Sequence, residues 1–419
     1  MKNIVGTFIA LTLGTLAILS SLSLNSCHDT FPSQVDTVLK PDTTRDTLLK
    51  YDTTMIRDTI HDTTIRVHED TTTITLHDTI RDTTIIQHHD TTLLIIHDTV
   101  DLDDSNVWIY RSSGTTDPLI TSQFVNSSVG FVGGGFLFGS AGTGIILGTS
   151  DAGTTWQIDN STIATTGTGG NDVYGLAFLD PQNGFAVGDG ENVYHTVDGG
   201  ITWSPTASNS SDLLRSIWFQ DANNGFVGTS DPEDQGSGVS HDGHILVTHD
   251  GGDTWSMGYA SSAGGIYRIQ FINSSNGIAL GYWGSALWTS DGGTSWNLGS
   301  TDQSQSRTII VGSTFTTATT GFCVCYIDQT HGAILRTDDA GHSWHTIQNV
   351  SAGLSGIATN GNGIITACGE AGMIVESTDG GTTWKTSTLG TQRWISLQYP
   401  TSDRTVVVGV NGRIATRDK

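Results

Sequence analysis

A short box of the form Ser/Thr-x-Asp-x-Gly-x-Ser/Thr-Trp recurs along the chain and constrains its fold more than any other feature. The last full copy runs from Ser377 to Trp384, and a truncated copy at Thr416 ends the chain. Five earlier copies begin at Thr149, Thr196, Thr248, Thr289 and Thr337. A motif that returns at a similar interval indicates a repeat protein, in which each interval folds as one structural unit.

The spacing of the boxes predicts the type of repeat. The box aspartates are Asp151, Asp198, Asp250, Asp291, Asp339, Asp379 and Asp418. They lie 39 to 52 residues apart, which is the length of one four-stranded propeller blade. Gly, Thr, Ser and short apolar alternations fill the intervals, and no window shows the apolar stripe of a helix. We therefore predict an all-β chain with a single seven-bladed β-propeller over residues 105–419.

The residues of each box suit a structural role. Asp-Gly-Gly between two apolar runs is typical of a hairpin turn, in which glycines adopt positive φ and the carboxylate accepts backbone N–H groups. The Trp at the start of the next strand is expected to pack against the neighbouring blade. We interpret the seven box aspartates as structural and not catalytic.

Within the blades, an aromatic residue precedes a glycine by six positions. Phe178 and Gly184 show this step, and so do the pairs that begin at Phe124, Phe219, Phe271 and Phe315. Blade six departs from the pattern, with Ile357 aligned to the aromatic position. Blade seven has Tyr399, with Thr405 in place of the glycine.

The two ends of the propeller are predicted to meet in blade seven. That blade lacks an outer strand after Asp418, and the unassigned segment 106–110 has the apolar pattern of a strand. Trp108 would then supply the missing box tryptophan. Pairing these ends removes the exposed edges of an open sheet, so the ring should need both termini for stability.

Residues 1–26 resemble an export signal, with Lys2 followed by an apolar run and then by small residues. Leu24 to Cys27 resembles the bacterial lipobox, whose cysteine carries a lipid. We expect lipidation of Cys27 and an exported, membrane-anchored cell envelope protein. Simple secretion without a lipid, and an uncleaved transmembrane anchor, are the alternatives.

Residues 27–104 form a second, cruder repeat of Asp-Thr pairs at mostly even spacing. Even spacing places every Asp on one side of an extended chain, and the segment has too little apolar surface for a core of its own. It is predicted to be a stalk or linker. Metal binding by its His-Asp pairs and strand pairing between neighbouring stalks are alternatives.

Charge and cysteine content exclude several classes. The formal net charge of the 419 residues is −24, which argues against nucleic acid as a partner. Cys323, Cys325 and Cys368 are expected to be buried thiols, with a Cys325–Cys368 bridge as the alternative. No cysteine or histidine spacing predicts a metal site or a cofactor, although the turn from Asp231 to His244 offers oxygens that suit Ca²⁺.

The blades resemble the Asp-box, or bacterial neuraminidase repeat, superfamily, and most of all its photosystem II assembly/stability factor-like group. Residues 281–296 and 369–384 carry the clearest copies of the blade motif. The resemblance implies a propeller scaffold. Members of that group act as non-enzymatic assembly chaperones with an arginine-bearing face, whereas other members of the superfamily are hydrolases or sorting receptors.

Blade topology places the box turns on one face of the ring and the starts of the inner strands on the other. The predicted ligand-binding residues on that opposite face are Tyr174, Arg215, Tyr267, Arg268, Tyr282, Trp283, Arg393 and Trp394. Arginines with aromatic neighbours suit a carboxylate or peptide ligand. An arginine at a strand end also commonly pairs with a nearby acid, and this alternative stays open.

Three classes of function remain at this stage. We predict a monomeric, non-enzymatic protein- or peptide-binding or assembly module, whose partner carries carboxylates. The alternatives are a glycan-active hydrolase or glycan-binding protein, and a purely structural surface protein. A glycosidase needs two carboxylates about 5–10 Å apart across a cleft. Asp189 and Glu370 fall on opposite blades and do not meet this requirement.

Overall fold

The computed structural model describes residues 107–135, 144–158, 172–231, 243–261, 264–303 and 308–419, together with the backbone of six short strands nearer the amino terminus. Those strands are Leu19–Ser21, Arg45–Thr47, Ile60–His61, Thr63–His68, Ile80–Arg81 and Thr84–Gln87. The chain divides into two compact units, Met1–Val107 and Trp108–Lys419. Cys27, most of the Asp-Thr repeat and residues 232–242 lie outside the described residues. Within the described residues, no helix has the length and apolar character needed to cross a membrane.

The unit Trp108–Lys419 is a ring of seven antiparallel sheets, which confirms the predicted seven-bladed propeller. The inner strands are Leu119–Phe124, Val173–Phe178, Leu213–Phe219, Ile266–Phe271, Ile309–Phe315, Leu354–Thr359 and Trp394–Gln398. The second strands are Gly130–Gly134, Gly184–Gly188, Gly225–Ser230, Gly277–Gly281, Gly321–Asp328, Ile365–Gly369 and Arg404–Gly409.

The third and outer strands complete the blades. The third strands are Ile145–Thr149, Asn192–Thr196, Gly243–Thr248, Ala286–Thr289, His331–Thr337, Met373–Ser377 and Ile414–Asp418. The outer strands of blades one to six are Gln157–Ile158, Ser204–Ala207, Ser256–Ser261, Asn297–Leu298, Ser343–Val350 and Lys385–Thr388. Blade five gains a fifth strand, Ser300–Thr301, which runs parallel to its outer strand. A 3₁₀ turn, Glu370–Gly372, joins the second and third strands of blade six.

Blade seven is built from both ends of the unit. The strand Trp108–Arg111 pairs antiparallel with Ile414–Asp418, with Trp108 opposite Arg417. The Arg417 guanidinium lies 4.5 Å from the centre of the Trp108 ring and also bonds the Glu376 carboxylate of blade six. The Glu376 carboxylate also pairs with Lys419 at 2.7 Å. The carboxy-terminal residues therefore join blade seven to blade six and to the closing strand Trp108–Arg111.

The spacing of aromatic and glycine residues follows from close packing within each blade. In blade two the Phe178 ring lies across Gly184, so that a Cβ atom there would come within 2.3 Å of a ring carbon. The next residue, Phe185, stacks on Phe219 of blade three with ring centres 4.2 Å apart. In each Gly-Phe pair, the glycine thus packs against an aromatic ring of its own blade, and the phenylalanine packs against the next blade.

In blade six the sequence alignment was wrong by two residues. Thr359 pairs with Ile365 at the position where Phe178 pairs with Gly184 in blade two. Ile357 is instead a buried residue in the middle of its strand, within a cluster that includes Phe322 of blade five. The error arose because blade six has neither the aromatic residue nor the glycine that marks the other blades.

Each box turn is held by its aspartate and by the Ser or Thr before it. Asp379 accepts hydrogen bonds from the Ser377 hydroxyl at 2.8 Å and from the Thr383 N–H at 2.8 Å. Gly380 and Gly381 both have positive φ, which only glycine adopts without strain. The box tryptophans reach adjacent blades, as Trp255 does in a cluster with Phe185.

The three described cysteines are free and buried. Burial raises the pKa of the Cys325 and Cys368 thiols to about 12, so both are neutral and unreactive at physiological pH. The alternative of a Cys325–Cys368 bridge is therefore wrong for this structure. All three side chains act as small apolar residues in the cores of blades five and six.

Candidate functional site

The inner strands share an irregularity that aims side chains into the centre of the ring. In all seven, the pairing with the second strand slips by one residue near the start of the strand. The residues at this β-bulge are Ile120, Tyr174, Arg215, Tyr267, Val311, Ser355 and Ile395. A bulge re-aims the side chain that it carries. All seven line one cavity of about 780 Å³, here called the channel mouth, on the face opposite the boxes.

Arg215 is the bulge residue of blade three, and it lies between two tyrosines. Its guanidinium carbon is 4.6 Å from the centre of the Tyr174 ring and 4.9 Å from that of Tyr267. Its Nε donates to the Ser230 hydroxyl at 2.8 Å. Cation–π contacts on both sides and one hydrogen bond hold the guanidinium in place and leave its terminal nitrogens for a ligand.

Arg268 follows the bulge of blade four, at a position where the other blades have small residues. Those residues are Thr121, Gly175, Ser216, Gly312, Gly356 and Ser396. The long Arg268 side chain therefore occupies the channel mouth beside neighbours that leave room for it. Its Nε donates to Ser313 at 3.4 Å. None of the ion pairs among the described residues includes Arg268.

The protonation of Arg268 follows from its surroundings. Desolvation by burial lowers the pKa of its guanidinium to about 10. This value still leaves the group charged at neutral pH. Arg268 is therefore a half-buried cation that lines a cavity, and an anionic ligand would offset the cost of its partial desolvation.

Arg393 lines the same cavity, but its charge is already partnered. Its Nε lies 3.3 Å from Glu370 Oε1, and both Nε and Nη2 bond the Ser355 hydroxyl at 3.1 and 3.0 Å. The guanidinium also lies 5.1 Å from the centre of the Tyr326 ring. The ordinary ion-pair alternative thus applies to Arg393, whereas Arg215 and Arg268 have no such partner among the described residues.

Two predicted ligand-binding tryptophans are placed elsewhere. Trp394 is fully buried, and its indole N–H donates to the Leu389 carbonyl at 2.9 Å, so its assignment to the ligand face was wrong. Trp283 lies in the turn after the second strand of blade four, with φ of +57°. It is not among the residues that line the channel mouth, whereas Tyr282 beside it is.

Two acids of blade two complete the site. Asp172 immediately precedes the inner strand, and Asp189 follows the second strand; both are buried and line the channel mouth. Desolvation, and then the charge of Asp189, raise the pKa of Asp172 to about 7. Sequence reasoning missed Asp172, whereas it placed Asp189 in a turn on the ligand-binding face and also weighed it as a catalytic group. The available signal was the position of Asp172, two residues before Tyr174 on the same strand entrance.

The described residues around the channel mouth define the chemistry that it offers. Glu370 lies on blade six and pairs with Arg393, whereas Asp189 lies on blade two. No group of three metal-ligating side chains occurs among the residues that the structure describes. The chemistry that the channel mouth offers consists of fixed cations, aromatic faces and a pair of buried carboxyls.

Comparison with known proteins relates the fold to other propellers. No protein-family model and no curated protein sequence matches this chain. Two solved structures, described as YCF48 bound to D1 peptide and YCF48 from Cyanidioschyzon merolae, are each 18% identical with a TM-score of 0.54. They match 75% and 74% of this chain and 98% of their own.

A hydrolase propeller is similar as well. The GH74 xyloglucanase from Xanthomonas campestris is 12% identical with a TM-score of 0.55, over 74% of this chain and 54% of that one. At such identities, similarity establishes the propeller fold alone. The hydrolase match extends over about half of its chain, whereas the YCF48 matches extend over nearly all of theirs.

Proposed function

We propose that this protein is a non-enzymatic binding or assembly module whose channel mouth takes a carboxylate-bearing segment of a protein or peptide partner. The observation that carries the proposal is Arg268, a charged guanidinium that lines the cavity without an acidic partner among the described residues. Arg215, held between Tyr174 and Tyr267, provides a second donor group at the same mouth.

Arginine suits this role because its planar guanidinium donates two parallel hydrogen bonds to one carboxylate. In a desolvated site, a hydrogen bond to a charged group contributes about 1.5–3 kcal/mol. The tyrosines that flank Arg215 offer flat apolar surface to the segment around the carboxylate. A related propeller fold that is described as bound to a peptide supports the choice of ligand class.

The proposal is tested with the full chain and a random heptapeptide display library that is joined to its carrier through the carboxyl end, so that carboxylates come only from Asp and Glu side chains. We expect the wild-type protein to enrich peptides with carboxylates. Arg268→Gln should weaken binding of an enriched peptide about 10- to 100-fold, measured by calorimetry, because one charge-assisted bond is lost. Arg215→Gln should weaken it as well.

The matched control is Arg336→Gln, since Arg336 pairs with Asp338 beside the box of blade five and lies outside the channel mouth. Binding by this variant should equal that of wild type. Enrichment of peptides without carboxylates, or full binding by Arg268→Gln with an unchanged melting temperature, would contradict the proposal.

We also propose that Cys27 is lipidated and anchors the module in the cell envelope. Support comes from the lipobox-like residues Leu24 to Cys27 after an apolar run. Cys27→Ala should move the protein from the membrane fraction to the soluble fraction and abolish palmitate labelling in a bacterial host. Ser26→Ala is the control. Unchanged fractionation of Cys27→Ala would contradict the proposal of a lipid anchor at Cys27.

A further inference from the structure

The channel mouth has an acidic side that the carboxylate proposal does not use. Asp172 and Asp189 are adjacent on blade two, where the Asp189 N–H donates to the Asp172 carbonyl at 3.0 Å. Their exposed fractions are 3% and 8%, so both carboxyls are largely withdrawn from water. Both residues line the cavity. Two buried carboxyls at one place repel each other and raise the free energy of their fully ionised form.

One oxygen of this pair has no partner. Asp172 Oδ1 is buried without a hydrogen bond from any described group, and Oδ2 has only the Tyr174 hydroxyl at 3.5 Å. Neither acid forms an ion pair with another described residue. The nearby Arg215 places its faces on Tyr174 and Tyr267 and its Nε on Ser230. Buried polar oxygens are normally satisfied, so this one marks a place for a donor that is not part of the fold.

We propose that Asp172 and Asp189 form a subsite for an organic cation, the ammonium or guanidinium of a Lys or Arg side chain in the bound segment. This inference rests on the proposed function and narrows its ligand to a bipolar segment, with a carboxylate at Arg268 and a basic side chain at blade two. An alkylammonium carries three donors, enough to reach the free Asp172 oxygen and Asp189 together. A metal ion is less suited, because the described residues supply no third carboxylate or imidazole ligand there.

The protonation of the empty subsite agrees with this assignment. Burial first, and then Asp189, raise the pKa of Asp172 to about 7, with a smaller contribution from Asp117 in the same direction. The Tyr174 hydroxyl and Arg215 act in the opposite direction. Near neutral pH the empty pair therefore holds a proton in part of the molecules. A ligand cation takes the place of that proton, so binding should release protons and strengthen as pH rises through 7.

The experiment uses the full chain and the same heptapeptide library. Wild type should enrich peptides with Lys or Arg at a fixed distance from the carboxylate. For one enriched peptide, replacing Lys by norleucine should weaken binding to wild type about 10-fold or more. The same replacement should leave the affinity for the Asp172→Asn variant unchanged. Calorimetry at pH 7, in buffers that differ in heat of ionisation, should detect proton release with the Lys peptide and less with the norleucine peptide.

The controls keep the two proposals separate. Asp338→Asn, an exposed acid of blade five, should retain the full preference for Lys. Asp189→Asn should lose it, and it serves as the test if Asp172→Asn does not fold. Carboxylate-dependent binding with equal affinities for the Lys and norleucine peptides would overturn the cation subsite and leave the proposed function intact. Failure of wild type to enrich any peptide would overturn both.

Discussion

At the residue scale, aspartates of the propeller lie in two environments that shift the carboxyl pKa in opposite directions. The box aspartate Asp379 is exposed but accepts several short hydrogen bonds, and those from Thr383 and Ser377 hold its pKa down to about 2. Asp172 is buried and lacks such donors, and its pKa is raised to about 7. Hydrogen bonds that favour the ionised form suit a carboxylate that stabilises a turn. Desolvation without hydrogen-bond donors from the fold suits a carboxylate that binds a ligand.

Asp379→Ala should lower the melting temperature of the propeller by a few degrees at pH 7, because the turn loses its hydrogen-bond acceptor. The pKa of Asp379 is depressed on folding, so its contribution is present above the unfolded value near 3.8 and is lost as pH falls towards 2. The difference between variant and wild type should therefore shrink below pH 4. Thermal melts from pH 7 to pH 2.5 measure this.

Asp253→Ala is the matched control, since Asp253 is an exposed residue in the box turn of blade three, two residues before Trp255. It should leave the melting temperature nearly unchanged at every pH. Equal melting temperatures of Asp379→Ala and wild type at pH 7 would contradict a stabilising role for the box aspartate.

At the scale of the blade, glycines have two different structural roles. Glycines such as Gly184, at the start of a second strand, make room for the ring of the inner strand. Box glycines such as Gly380 instead supply positive φ, and a Cβ atom at Gly380 would meet nothing within 4 Å. The ring-over-glycine contact lets a blade present an aromatic residue to its neighbour, as Phe185 of blade two does to Phe219 of blade three.

Gly184→Ala should destabilise the propeller by about 1–3 kcal/mol, because the new methyl group overlaps the Phe178 ring. The cost should fall in a Phe178→Ala background, where the ring is absent, and a double-mutant cycle in urea measures this coupling. Gly380→Ala is the comparison, with only the backbone cost of positive φ and no dependence on Phe178. An equal cost of Gly184→Ala in both backgrounds would show that the ring contact is not its cause.

At the scale of the molecule, the ring closes through hydrogen bonds between distant segments. The strand Trp108–Arg111 completes the sheet of Ile414–Asp418, and Glu376 of blade six binds both Arg417 and Lys419. The inner strands then meet as a complete circle around the channel mouth, which all seven blades line. Integrity of the site therefore depends on residues that lie far from it in both sequence and space.

Deleting residues 106–112 should expose an edge of blade seven and lower the melting temperature sharply, by ten degrees or more, because the loss removes a whole strand from the sheet. Deleting residues 30–95 of the stalk segment should change it little, and this shorter chain serves as the control for loss of amino-terminal residues. Differential scanning calorimetry of the full chain and the two deletion variants measures the three melting temperatures. Equal melting temperatures of the 106–112 deletion and the full chain would rule out closure by this strand.

The sequence by itself determined the repeat, the number of blades and the side of the ring on which Tyr174, Arg215 and Tyr267 lie. These follow from local chemistry, because box turns and six-residue steps recur wherever the same short-range contacts are made. Residues at equivalent strand starts must then reach the same rim, whatever their separation along the chain. Blade six was misaligned because it lacks both local markers.

Only the tertiary structure decided which of those rim residues face the channel and which are already partnered. Trp394 and Arg393 are consecutive, yet one is buried in the core and the other lines the channel, since neighbouring residues of a strand point to opposite sides. The pairing of Arg393 with Glu370 and the isolation of Arg268 depend on what adjacent blades bring within a few ångströms. The buried Asp172 belongs to the same class, because desolvation is set by the surrounding fold and not by the residue's neighbours in sequence.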